Sequence, residues 1–147
     1  MSRKTGEILL VDDSADDVEL AISVLSGCWP ADHIVVAQDG AEAGDYLFRR
    51  GAYSGRGPDQ PVLILLDVKM PKVDGLELLR VVKSDAQLKS IPVVMLTSSR
   101  EERDICDSYR LGSNGYVVKP MVYAEFQETL RALGAFWLKT NVLPASM

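Results

Sequence analysis

The sequence is short of several residue kinds, and each shortage closes off a class of function. It has one histidine, His33. A phosphohistidine or a histidine-based metal centre would therefore have to come from another protein, and His33 itself is expected to open a strand, HIVVA. It has two cysteines, Cys28 and Cys106, whose spacing fits no metal-ligand pattern. Each is expected to be a small buried apolar residue. No apolar run approaches about 18 residues, and the first residues, MSRKTG, lack the apolar core of a signal segment. No membrane span is expected, and the chain reads as cytoplasmic. Positive charge is also scarce: 16 Lys and Arg stand against 21 Asp and Glu, a formal net charge of −5. That balance argues against a nucleic-acid binder, and nothing resembles a basic recognition helix.

What is present is an ordinary globular composition, 47% hydrophobic and 25% charged over 147 residues. That length suits one domain, which can bury about 68–70% of its unfolded surface without staples. Apolar strand-like runs alternate with stretches of helical period. EILLV (7–11), HIVVA (33–37), PVLILLD (61–67), PVVML (92–96) and GYVVK (115–119) read as strands. Helices are expected over 14–27, 40–50, 74–86, 100–111 and 123–138, the fourth ended by Gly112. Five β–α units with short apolar strands imply a parallel sheet covered by helices on both faces. The expected class is α/β, a flavodoxin-like doubly wound (βα)5 domain with strand order 2-1-3-4-5. Ligands of such sheets bind at the C-terminal strand ends, at the switch point. The one long loop, GAYSGRGPDQ (51–60), is rich in glycine and is expected to be mobile.

At those strand ends the apolar runs stop on polar groups: Asp12-Asp13, Asp67, Thr97-Ser98 and Lys119-Pro120. Taken singly, an aspartate could be a helix N-cap, Thr97 a turn residue and Lys119 a solvated end. Together those readings fail. Three carboxylates in one crevice repel by roughly 4 kcal/mol per pair at about 4 Å and an effective dielectric of about 20. A hard divalent cation removes that cost, and Mg²⁺ takes carboxylates, waters and a phosphate oxygen. A carboxylate can also be a nucleophile that forms an aspartyl phosphate. Asp67, on the middle strand between the acidic pair and Thr97 and Lys119, is the candidate nucleophile. Ser98 is small enough to let a phosphoryl group approach the backbone.

The stretches VDDS (11–14), LLDVKMPKVDG (65–75), MLTSS (95–99) and GYVVKP (115–120) closely resemble the receiver domain of two-component response regulators. The resemblance runs from about Glu7 to Leu138. It implies that Asp67 is the phosphoacceptor and that Asp12, Asp13 and the backbone carbonyl of Lys69 hold Mg²⁺, with Mn²⁺ as a substitute. It implies that Thr97 follows the phosphoryl group, that Lys119 pairs with it, and that Tyr116 is an aromatic switch turning inward on activation. It also implies a cis peptide at Lys119-Pro120. Such a domain signals through protein contacts and catalyses only its own phosphorylation and dephosphorylation. Residues 139–147 read as a C-terminal extension of a single receiver domain with no output domain attached. The 51–60 loop and the FWL…LP ending resemble the regulators paired with bacterial phytochrome histidine kinases, so a sensor kinase of that kind is the expected partner.

Two other readings compete. A haloacid-dehalogenase-like phosphatase also uses an aspartate nucleophile and Mg²⁺, but needs an acid two residues after it, where Asp12 has Ser14. A degenerate receiver signals by contacts alone, but lacks the acidic pair or the acceptor. The last helix carries a core stripe of Phe126, Leu130, Leu133 and Trp137. Phe136 and Leu138 fall off it, and Val142, Leu143 and Pro144 extend the apolar segment past the helix, which points to a homodimer through the last helix and the tail. The resemblance to receivers implies pairing through the face of helix 4, strand 5 and helix 5. The competing possibility is a tail folded back over the protein's own sheet.

Overall fold

The computed structural model describes residues 6–144. The helices and strands follow the expected order. They are β1 (Ile8–Val11), α1 (Ala15–Leu25), β2 (Ile34–Ala37), α2 (Gly40–Phe48), β3 (Leu63–Leu66), α3 (Gly75–Ser84), β4 (Val93–Thr97), α4 (Glu102–Arg110), β5 (Gly115–Val118) and α5 (Tyr123–Gly134). The five strands form one parallel sheet in the order β2-β1-β3-β4-β5. The expected α/β doubly wound architecture is the one observed.

Alternation along each strand divides the core into two layers. Leu9, Val11, Ile64, Leu66, Val93 and Met95 face one side, where they pack with Tyr46 and Leu47 of α2 and Leu78, Leu79 and Val82 of α3. Ile8, Leu10, Leu63, Leu65, Val94 and Leu96 face the other, against Leu20 and Leu25 of α1 and Phe126, Leu130 and Leu133 of α5. Three helices start on a side-chain cap three residues before a matching acid. Ser14, Asp39 and Asp74 accept the backbone N–H of Asp17, Glu42 and Glu77, each meeting one of the orphan donors of a first helical turn. The helix α4 differs from the rest: its only buried residues, Asp104 and Ser108, are polar.

Several expectations are corrected. His33 closes a short 3₁₀ turn over Ala31–His33 rather than opening β2. Cys28 and Cys106 are half-buried free thiols, not fully buried ones. The structure also adds what the sequence did not suggest, guanidinium donors bonded to carbonyls around the 51–60 loop. Arg49 donates to the carbonyls of Gly57 and Pro58. Arg56 donates to those of Tyr46 and Asp59 and to Gln60 Oε1, and its guanidinium lies 4.1 Å from the Tyr46 ring centroid. A planar fork with five donors can serve several carbonyls of a loop at once.

The last helix stops being α-helical at Gly134 and continues as π-helix over Ala135–Thr140. The wider i→i+5 hydrogen bonding rotates the residues that follow. Trp137, Leu138 and Leu143 thereby pack against the layer under α1 and α5, while Phe136 is half exposed. Two of the residues expected to lie off the core, Leu138 and Leu143, thus touch it.

Candidate functional site at the C-terminal strand ends

The parallel register sets the site. Val11 pairs with Leu66 across β1 and β3, so the next residues on the two strands, Asp12 and Asp67, emerge side by side. Ladder hydrogen bonds continue one step past the strands and fix the backbone there. Asp12 N–H donates to Ala37 O, Asp67 N–H to Val11 O, and Lys119 N–H to Thr97 O, at 3.0, 3.0 and 2.7 Å. Asp12, Asp67 and Thr97 are buried, while Asp13 is exposed. Burying a carboxylate without a partner is costly, and each of the two buried ones has a partner here.

That partner is Lys119, whose side chain is only 4% exposed. Its ammonium donates to Asp12 Oδ2 at 2.5 Å, Asp17 Oδ2 at 2.9 Å and Asp67 Oδ2 at 3.4 Å. Burial works against this charge, but the carboxylates of Asp12, Asp67 and Asp17 outweigh it and hold the lysine above its ordinary range. Asp12 is raised above the ordinary carboxylate value by its burial, with Lys119 and the Ser14 N–H pulling the other way. The oxygens of Asp12, Asp13 and Asp67 lie within 4.8 Å of one another. Oxygen-only donors at that separation suit a hard divalent cation.

A cleft of about 480 Å³ opens here, lined by Asp13, Asp67, Lys119, Lys69, Thr97 and Ser98 among others. Lys69 reaches Asp67 Oδ1 through its backbone N–H at 3.4 Å, and its ammonium lies 3.3 Å from Glu101 at the start of α4. Tyr116 donates its hydroxyl to Ser99 O, and burial raises its phenol above the ordinary range. Every side chain expected at the strand ends is therefore at the same end of the sheet. Lys119-Pro120 is not the expected cis peptide, since no peptide bond among the described residues is cis. Trans is the intrinsic preference of an X–Pro bond, by about 0.5–1 kcal/mol.

Sequence reasoning missed three residues. Asp17 is a direct partner of Lys119, and its signal was the S-x-x-D pattern that starts α1. Ser99 and Asp104 form a link from the end of β4 to α4: the Ser99 hydroxyl donates to Asp104 Oδ2 at 2.5 Å. Nothing periodic in the sequence pairs those two.

A doubly wound sheet with carboxylates, hydroxyls and an ammonium gathered at its switch point defines a flavodoxin-like domain whose chemistry sits at the C-terminal strand ends. The family model of the response regulator receiver domain matches residues 8–131, and the chain belongs to that family. The response regulator Rcp1 of Synechocystis sp. is 38% identical over 139 residues, which cover 95% of this chain and 93% of Rcp1. The crystal structure of the Mn(2+)-bound form of Rcp1 aligns with a TM-score of 0.87 at 37% identity, over 95% of this chain and 99% of that one. That of the phosphorylated cyanobacterial phytochrome response regulator RcpA aligns at 0.88 and 39%, over 96% and 99%. The bacteriophytochrome response regulator AtBRR is 50% identical with a TM-score of 0.72, over 91% and 96%. The chain is thus a signalling receiver domain related to phytochrome response regulators.

Proposed function

We propose that Asp67 accepts a phosphoryl group from the phosphohistidine of a sensor histidine kinase in a Mg²⁺-dependent reaction. A carboxylate oxygen of Asp67 forms the P–O bond as the P–N bond breaks, and the electron pair returns to the imidazole. The observation that carries this is the cluster of Asp12, Asp13 and Asp67 oxygens within 4.8 Å, with Lys119 Nζ beside Asp67. Asp12, Asp13, Asp67 and the carbonyl of Lys69 would hold Mg²⁺, or Mn²⁺ in its place, which neutralises phosphoryl oxygens. Thr97 and Lys119 contact the phosphoryl group, Ser98 leaves it room, and Tyr116 reports its arrival. The protein acts in the cytoplasm through protein contacts and catalyses only its own phosphorylation and dephosphorylation. The likeness to RcpA and AtBRR supports a kinase of the phytochrome type. No helix among the described residues is long and apolar enough to cross a membrane.

A homodimer belongs to the same reading. Tyr109 of α4, Met121, Val122 and Tyr123 at the start of α5, and Phe136 and Val142 beyond it are all large exposed apolar residues. Large apolar side chains left exposed on a surface favour association when they lie together. The experiment that tests the central assignment is labelling by a small acyl phosphate or by a kinase. Asp67→Asn should abolish acid-labile label, as should a chelator of divalent cations. Full labelling in either case removes Asp67 or the metal from the mechanism.

A further inference from the structure

Asp17 lies outside the residues given a role above, yet it is the second-nearest partner of Lys119, at 2.9 Å. Its orientation follows from how α1 begins. In a capping box the acid at the third helical position returns to the N-cap N–H. Here the Ser14 N–H already donates to Asp12 Oδ1 at 2.9 Å, so that return is blocked. Ser14 Oγ still accepts the Asp17 N–H at 3.3 Å, and the helix start stays capped. The Asp17 carboxylate is left free to turn to Lys119.

An ammonium has three donors, and Lys119 aims them at Asp12, Asp17 and Asp67. Two of those three, Asp12 and Asp67, also belong to the acidic set that suits a divalent cation. A cation on them competes for the oxygens that Lys119 holds and repels its charge. Asp17 alone among the partners of Lys119 stands outside that set, with a side chain 31% exposed.

We propose that Asp17 is a positioning residue that retains Lys119 when a divalent cation takes Asp12 and Asp67. Cation and ammonium then occupy the cleft together instead of excluding each other, both at hand for an incoming phosphoryl group. The inference rests on the assignment of Asp12, Asp13 and Asp67 as cation ligands made above.

Titration of the full chain with Mn²⁺ at neutral pH, read from the electron paramagnetic resonance of the free ion, separates the two claims. Asp17→Asn should weaken Mn²⁺ binding about three- to fivefold, the scale of one partly screened charge contact. Asp16→Asn removes the same charge from an exposed neighbour without touching Lys119, and should cost no more than about twofold. With Lys119→Gln already in place, adding Asp17→Asn should change the affinity by no more than about twofold, because no ammonium remains to be held. Equal losses in the Asp16 and Asp17 variants overturn the proposal in favour of a general field effect. So does a loss that persists in the Lys119→Gln background. A wild-type chain that binds no Mn²⁺ overturns the cation assignment, and this inference with it.

Discussion

The hydroxyl of Tyr116 donates to the backbone carbonyl of Ser99 at 2.9 Å, joining β5 to the segment between β4 and α4. Ser99 also donates its N–H to Thr97 Oγ1 at 3.3 Å and its hydroxyl to Asp104 Oδ2 at 2.5 Å. One residue therefore touches the hydroxyl beside the site, the aromatic ring on the next strand and the helix beyond. The buried residues of α4 are both polar, so these hydrogen bonds tie the helix to the sheet where apolar contact does not.

Ser99→Ala should therefore loosen α4 selectively. Among the described residues the Asp104 carboxylate would keep only Lys69, 4.0 Å away, and losing one charge-assisted hydrogen bond costs about 1.5–3 kcal/mol. Urea unfolding gives the global loss, and amide exchange should speed up in residues 102–110 more than in α1 or α5. Uniform acceleration across the domain would show that α4 does not depend on Ser99.

Lys119→Ala removes the counter-charge of two buried carboxylates. Without divalent cation at neutral pH the variant should lose about 3 kcal/mol, the low end for breaking a buried pair, since Asp17 is partly solvated. Mg²⁺ should recover part of that loss. The variant should remain folded and accept some label at Asp67, yet show no conformational response at Tyr116. An NMR or fluorescence change at Tyr116 equal to that of the wild type would contradict this.

Alkali should weaken the fold through Tyr46, Tyr116 and Lys119. Burial raises Tyr46, reinforced by its 2.7 Å hydrogen bond to Glu7, and burial raises Tyr116. Lys119 is raised because its carboxylates outweigh burial. A folded value above the unfolded one means that the native state holds more protons, so stability falls with pH there. The contribution is complete below the ordinary values, 10.0 for tyrosine and 10.5 for lysine, and is lost as pH rises through the folded ones. Urea midpoints should begin to drop above about pH 10, and Tyr46→Phe should flatten that drop. An unchanged slope in Tyr46→Phe would exclude its share.

The dimer is best tested at Phe136, which is half exposed and contacts Trp137 edge-on at 5.3 Å. Light scattering of the wild type at tens of micromolar should give about twice the 16.1 kDa chain mass. Phe136→Ala should shift that toward the monomer with little effect on stability. Leu143→Ala is less informative, because Leu143 packs on the protein's own core. A wild-type monomer, with and without a phosphate analogue, would favour the folded-back tail alone.

The strands were legible because buried parallel strands are written as continuous apolar runs, and the charges that end them marked the site. Register then did what the sequence order suggested: Asp12, Asp67, Thr97 and Lys119 all leave the sheet at one end. Less was legible where a polar side chain chose among many partners. Lys119 meets Asp12 across 107 residues and Asp17 across 102, and no local pattern separates those acids from Asp16. The loop at 51–60 reads as glycine-rich, and nothing local announces that Arg49 donates to the Gly57 carbonyl or Arg56 to that of Tyr46. The tail was misplaced because a single π-helical turn changes which side chains face inward.

The two flanks of Asp67 differ in how they could yield. A Cβ at Gly75 would lie 1.8 Å from the Asp67 carbonyl oxygen, and one at Gly40 would lie 2.0 Å from that of Val73. Backbone rests on backbone at both places, with no side chain between to swing aside. The β4–α4 flank is joined instead through Ser99, whose hydrogen bonds can exchange partners without any atom overlapping another. The α2–α3 side of the β3 end is thus close-packed backbone, and the α4 side is held by hydrogen bonds. Neither glycine could take even a methyl group without moving the backbone it rests on.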